Sequence, residues 1–168
     1  GIDSSRLVKI TTRGGRYGQS LVEAARVVGP VRRRGSIMRD AVRFLKTHTN
    51  KPIKVTLPGP MTTTDTLADE FYGSRAKLAA ALAGQLNEEA LELTEAGADI
   101  IQFDEPCFNI YLDEVEEWGI RTLEEAAKGV RAKTAVHICY GYGVPIVLNW
   151  KTKNTDWNHY HRILSDDN

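Results

Sequence analysis

Three short apolar runs, each stopped by turn-forming or reactive residues, constrain this chain more than any other feature. Ile53-Lys54-Val55-Thr56-Leu57 runs into Pro58-Gly59-Pro60, and Asp99-Ile100-Ile101-Gln102-Phe103 into Asp104-Glu105-Pro106. The third, Thr134 to Ile138, takes in His137 and stops at Cys139. A long helical pattern from Arg75 to Ala96 separates the first two: Leu78, Leu82, Leu86, Ala90 and Leu93 recur at three- and four-residue spacing, and Gly97 supplies a left-handed stop. A shorter helix, opened by a Thr122-x-x-Glu125 capping box and reaching about Val130, separates the second from the third. Strands joined by helices pair in parallel through right-handed crossovers. A doubly wound sheet and a (β/α)8 barrel both satisfy that order. The phosphate-binding pattern G-x-G-x-x-G is absent after every strand, Gly141-x-Gly143 being too short. In a barrel, chemistry gathers at the carboxyl ends of the strands, where the polar residues here fall each time. The sequence therefore predicts an α/β fold, part of a (β/α)8 TIM-type barrel with parallel strands.

The flanks are less regular. Residues 1–35 hold two β-like runs, Leu7 to Thr11 and Arg26 to Gly29, with Gly14-Gly15 between them. Ser36 is placed to cap a helix with Ile37, Met38, Ala41, Val42 and Leu45 on one stripe, ended by Asn50-Lys51-Pro52. Met61 to Ser74 reads as a Thr- and Asp-rich connection, and Asn154 to Leu164 as helical. The 168 residues suffice for one domain with a core, and a formal net charge of zero weighs against nucleic acid or an anionic membrane as partner. Val31-Arg32-Arg33-Arg34 is a local exception, read as a solvated basic turn. No apolar run approaches the roughly 20 residues of a membrane helix, and no signal peptide is visible. Two cysteines, Cys107 and Cys139, make no disulfide framework and fit a reduced, cytoplasmic setting. The chain opens without a methionine and closes just after an aromatic-rich segment. Such ends are expected of a fragment, one domain over residues 1–168, and the family resemblance given below implies a partial barrel lacking its first and last strands.

His137 and Cys139 stand two apart in an extended run, so their side chains share a face and could reach one ion. Zn²⁺ is the natural choice for mixed N/S ligands. Spacing alone favours a plainer reading, a buried structural histidine beside an inert cysteine, because His-x-Cys is only half a zinc site. Asp104 and Glu105 are adjacent and must point to opposite faces, with Asp104 on the side of Gln102 and Ile100. One acid could hold a substrate ammonium while the other pairs with a neighbouring loop. Cys107 reads as a small buried residue, and His48 as a helix-end residue. His159 and His161 are spaced poorly for joint metal binding on a helix. Thr62, Thr63 and Thr64 could line the mouth of their strand or cap the helical region after it.

"IKVTLPGPMT" (53–62), "DIIQFDEP" (99–106) and "VHICYGYG" (136–143), in that order and at these spacings, resemble the catalytic domain of cobalamin-independent methionine synthases, above all the short single-barrel members. The resemblance covers roughly Val27 to Trp150. It implies a (β/α)8 barrel that uses zinc to bind homocysteine as a thiolate and transfers a methyl group to it. It further implies that His137 and Cys139 are two of the zinc ligands and that Asp104 holds the amino group of the amino-acid substrate. The partners so implied are a small-molecule thiol and a methyl donor. The family completes its zinc site with a glutamate and a second cysteine from later strands, so this chain alone is expected to be inactive or very weak. Where the larger folate-dependent enzymes carry a tryptophan against the pterin, the matching position is Thr66. The donor therefore stays open between a methylated folate and another compound. Cys107-Phe108-Asn109-Ile110 also replace the polar residues that follow Asp-Glu-Pro in those enzymes. Two other readings stand beside this one: a related zinc-dependent alkyl or thiol transferase, and a noncatalytic barrel fragment in which His137 and Cys139 merely pack.

Overall fold

The computed structural model describes residues 1–15 and 18–139, and in it the apolar runs become strands. The order is β1 (Ile2–Gly15), β2 (Gly18–Val27), α1 (Arg39–His48), β3 (Lys54–Pro58), α2 (Pro60–Asp65), β4 (Leu67–Asp69), α3 (Arg75–Ala96) and β5 (Ile100–Asp104). A 3-10 turn (Pro106–Asn109), the short α4 (Leu112–Glu114), a π turn (Val115–Gly119) and α5 (Ile120–Ala127) lead to β6 (Lys133–His137).

β3, β5 and β6 form one parallel sheet in the order β3-β5-β6, in unbroken register. Pro58, Asp104 and His137 share a row at the carboxyl end; Lys54, Ile100 and Lys133 share one at the amino end. Period-two alternation divides the side chains between the two faces. Val55, Leu57, Ile101 and Phe103 are buried with Val42 of α1, Ala83, Ala90 and Leu93 of α3 and Ala126 of α5. All three helices therefore pack on one face. The other face carries Lys54, Thr56, Gln102, Asp104, Lys133 and His137, exposed or half-buried. Each large apolar side chain buried this way contributes roughly 1.5–3 kcal/mol, which fixes the register: a slip of one residue would turn the apolar set to the open face. The helix α3 matches its predicted span. Gly97 (φ 109°) ends it, with Gly97 N–H donating to Thr94 O at 3.1 Å and Ala98 N–H to Leu93 O at 3.0 Å. That paired closure turns the chain directly into β5.

Several local expectations are corrected. The β-like runs extend into a long antiparallel pair, β1 with β2, and β4 adds to β2 in parallel. Met61 to Ser74 holds α2 and β4 rather than a connection alone. α1 begins at Arg39, whose N–H donates to Ser36 Oγ at 3.1 Å; of the expected stripe only Val42 is buried, and Ile37 is 85% exposed. Arg33 is no solvated turn residue. It pairs with Glu89 (2.8 Å) and with Glu92, and Glu89, itself buried, also accepts from Ser36 Oγ and the Ile37 N–H. Thr122 caps nothing: it is buried within the helical run and its hydroxyl donates to Gly119 O at 2.8 Å. The segment 154–164 lies outside the described residues, as do His159, His161 and Gly141-x-Gly143.

One buried acid holds the carboxyl end of the sheet together. Glu105 has no exposed surface. Its Oε1 accepts from Met61 N–H at 2.9 Å, and its Oε2 accepts from Thr62 N–H at 2.9 Å and Thr62 Oγ at 2.7 Å. These amides open α2, whose own N-cap, Gly59, has no side chain to offer them. Gly59 is required for the contact, since a Cβ there would lie 2.2 Å from Glu105 Cδ and Oε1. Burial pushes the Glu105 carboxyl above the usual range, and the Thr62 hydroxyl and two amides pull it only part of the way back.

Two outcomes are expected from this contact. Gly59→Ala should destabilise by ~2 kcal/mol or more by evicting the carboxylate. Glu105→Ala should cost about 1–3 kcal/mol by leaving buried donors without an acceptor. Urea denaturation of the double variant should show a cost below the sum by at least ~1 kcal/mol, because the clash vanishes with the Glu105 side chain; simple additivity would rule the contact out. The raised carboxyl also sets a sign with pH. Its stabilising share is complete below the ordinary carboxylate range and is lost as pH rises through the raised value. The stability advantage of the native chain over Glu105→Gln should therefore shrink from about pH 4 upward, and an advantage that grows over that range would contradict the raised value.

Candidate functional site

The register of the parallel sheet places Asp104 directly opposite His137. Neighbouring strands lie about 4.8 Å apart, so the two side chains leave adjacent tips on the open face. Main-chain bonds continue past the strand ends. Gly59 N–H donates to Asp104 O at 2.8 Å, and Glu105 N–H donates to His137 O at 2.9 Å. The three tips are thus tied to one another by backbone, and Glu105 ties the first to the second by side chain as well.

Asp104 is half-buried, and Gln102 Nε2 donates to its Oδ1 at 2.7 Å. Lys54 Nζ in turn donates to Gln102 Oε1 at 3.0 Å. His137 is exposed, and Cys139 is half-buried and carries a free thiol. Asn109, in the turn after β5, donates from Nδ2 to the Cys139 carbonyl and fixes the backbone that carries the thiol. The structure therefore brings Asp104, His137 and Cys139 to one end of one sheet. Lys54 and Asn109 escape a reading of the sequence: a lysine at a strand start and an asparagine in a turn carry no motif, and only the diagonal reach across the sheet gives them partners.

Other candidates take structural places. Cys107 is buried, and its thiol is pushed up to about 12, by burial first and then by the Asp65 carboxylate, so it is no nucleophile at neutral pH. Thr62 serves Glu105, while Thr63 and Thr64 donate to the carbonyls of Gly59 and Pro60, each at 2.8 Å. Thr66 ends α2, its hydroxyl donating to Thr63 O at 2.8 Å. His48 closes α1, stacked on Phe44 with ring centroids 4.0 Å apart. Beside the site, Asp65 accepts from Tyr111 Oη and from Arg75 Nη1 (3.1 Å), and Arg75 Nε reaches Glu114 at 2.9 Å. That group braces α2 and α3 against the segment after β5.

An imidazole and a thiol two residues apart are a donor set that suits zinc. Among the described residues no three imidazole, thiol or carboxylate side chains converge as a metal site. A carboxylate on the adjacent strand tip, held on one oxygen, suits an ammonium.

Known proteins resemble the chain over most of its length. The model of the cobalamin-independent synthase catalytic domain matches residues 10–142. A methionine synthase of Saccharolobus solfataricus is 36% identical over 127 residues, covering 74% of this chain and 38% of its own length. One from Sulfurisphaera tokodaii is 43% identical over 89 residues, covering 53% and 26%. The structure of a B12-independent methionine synthase from Shewanella sp. W3-18-1, in complex with selenomethionine, superposes with a TM-score of 0.80 at 47% identity, covering 97% of this chain and 47% of that one. The chain spans less than half the length of each of these relatives. By the extent of the family match, the chain belongs to the cobalamin-independent synthase catalytic-domain family.

Proposed function

We propose that this chain contributes part of a zinc-dependent methyltransferase site that methylates a thiol, homocysteine, to give methionine without cobalamin. The observation that carries the reading is the row at the carboxyl end of the sheet: Asp104 opposite His137, with Cys139 two residues on. The Saccharolobus and Sulfurisphaera relatives bear the name methionine synthase, and the Shewanella relative holds selenomethionine, an amino acid of the product's shape.

The sheet is read as a sector of a (β/α)8 barrel, with residues 1–168 forming one partial domain. Among the described residues, helices lie against one face only and polar side chains line the other, which suits a barrel wall, whereas a doubly wound sheet takes helices on both faces. The open face then becomes the barrel interior, and the row of tips its catalytic mouth. Remaining zinc ligands come from outside the described residues.

Each residue has a chemical task in this reading. His137 and Cys139 supply a nitrogen and a sulfur donor for zinc, with Asn109 fixing the Cys139 backbone. Bound there, zinc supplies the Lewis acidity that lets a thiol, ordinarily titrating near ~8.5, give up its proton at neutral pH. Asp104 accepts charge-assisted hydrogen bonds from the amino-acid ammonium and so orients the acceptor sulfur. The methyl donor is a folate or another methylated compound. No described helix is long and apolar enough to cross a membrane, and small molecules are the partners this site suits.

The test is zinc content and methionine formation in the full-length protein. One zinc per chain, lost in His137→Ala/Cys139→Ala together with methionine formation from homocysteine and a methyl donor, is the expected result. Equimolar zinc retained by that double variant would refute the ligand assignment. Methylation of another thiol in preference to homocysteine would move the reading to a related thiol transferase.

A further inference from the structure

Resting on that reading, we propose that Gln102 is a positioning residue: with its amide oriented by Lys54, it holds the Asp104 carboxylate through Oδ1 and leaves Oδ2 for the ammonium of an amino-acid ligand. The argument begins with donor inventory. A lysine ammonium can only donate, so the group facing Lys54 Nζ at 3.0 Å must be the Gln102 oxygen. That choice turns the Gln102 NH₂ toward Asp104, where it donates to Oδ1 at 2.7 Å. The carboxylate, which only accepts, favours the same orientation, so Lys54 reinforces it and holds the far end of the amide.

The register makes the relay possible. Lys54 pairs with Ile100 in the ladder, so Gln102, two residues on, is its diagonal neighbour on the same face. Gln102 and Asp104 are themselves i and i+2 on β5 and share that face. A cation, an amide dipole and an anion then line up head to tail, and each bond polarises the next. Asp104 is only half-buried, and among the described residues Oδ1 is its one oxygen with a side-chain donor. A carboxylate accepts at both oxygens, so the relay pins the group through Oδ1 and leaves Oδ2 as an acceptor.

The test separates orientation from general damage by comparing two ligands. Calorimetric titration of the full-length, zinc-loaded protein with methionine and with 4-(methylthio)butanoate, which lacks the amino group, reads the ammonium contribution directly. Gln102→Leu should weaken methionine binding by about tenfold and leave the des-amino compound within about twofold. Lys54→Met should weaken methionine binding by a smaller factor in the same selective way. Asp104→Asn should abolish the preference for methionine, and adding Gln102→Leu to it should change methionine binding by less than about twofold. Gln102→Asn, which keeps the amide but not its reach, should fall between the native residue and leucine. Equal weakening of both ligands by Gln102→Leu, or no weakening of either, would overturn the positioning role while leaving Asp104 in place. An Asp104→Asn variant that still prefers methionine would overturn the underlying assignment of Asp104, and the relay with it.

Discussion

The carboxyl end of this sheet depends on one buried carboxylate. Glu105 sits where the chain leaves β5, and its two oxygens receive the amides that open α2 after β3. Adjacent residues on an extended chain face opposite ways, so committing Glu105 to the protein commits Asp104 to the open face. The pair Asp104-Glu105 is thus a division of labour imposed by geometry: one acid is consumed in joining two strand tips, and the other is presented. Gly59 belongs to the same device, since any side chain there would occupy the space of the Glu105 carboxylate. The sequence Pro58-Gly59-Pro60 is less a loop than the seat for an acid 46 positions after its glycine.

The ladder carries this arrangement across to β6. Parallel pairing in register sets His137 opposite Asp104, and the Glu105 N–H bond to His137 O extends the pairing one step beyond the strand. Because apolar burial on the helix side fixes that register, the polar row on the open side is positioned by residues it never touches. Phe103 and Ile101, both without exposed surface, are as responsible for the place of Asp104 as its hydrogen-bond partners are.

Much of this was legible in the sequence because it rests on short-range rules. The 22-residue span of α3 and its stop at Gly97 follow from periodicity and from the backbone freedom of glycine. The strand ends follow from the polar residues that close each apolar run, and the sharing of a face by Gln102 and Asp104 follows from parity. What was not legible depends on partners distant in sequence. Ile37 and Leu45 fit a helical stripe, yet no described element covers them. Thr122-x-x-Glu125 has the letters of a capping box, but the helical run begins upstream and draws Thr122 into the interior. Arg33 reads as solvated until Glu89 and Glu92, more than 50 positions later, are folded against it. The relay from Lys54 to Asp104 spans two strands and has no local signature at all.

Charge placement along the open face shows why a relay is needed rather than a direct ion pair. Lys54 and Lys133 stand at the amino end of the sheet, Asp104 and His137 at the carboxyl end. The Lys54 ammonium bonds to Gln102 Oε1 at 3.0 Å, and Gln102 Nε2 in turn meets Asp104 Oδ1 at 2.7 Å, so the cation reaches the acid through the amide. A lysine beside Asp104 would occupy the carboxylate and compete with any incoming ammonium. A lysine at the far end meets the acid only through the neutral Gln102 amide, which donates to Oδ1. A carboxylate held on one oxygen by a neutral donor loses the freedom to turn away, which the proposed recognition of a small ammonium calls for.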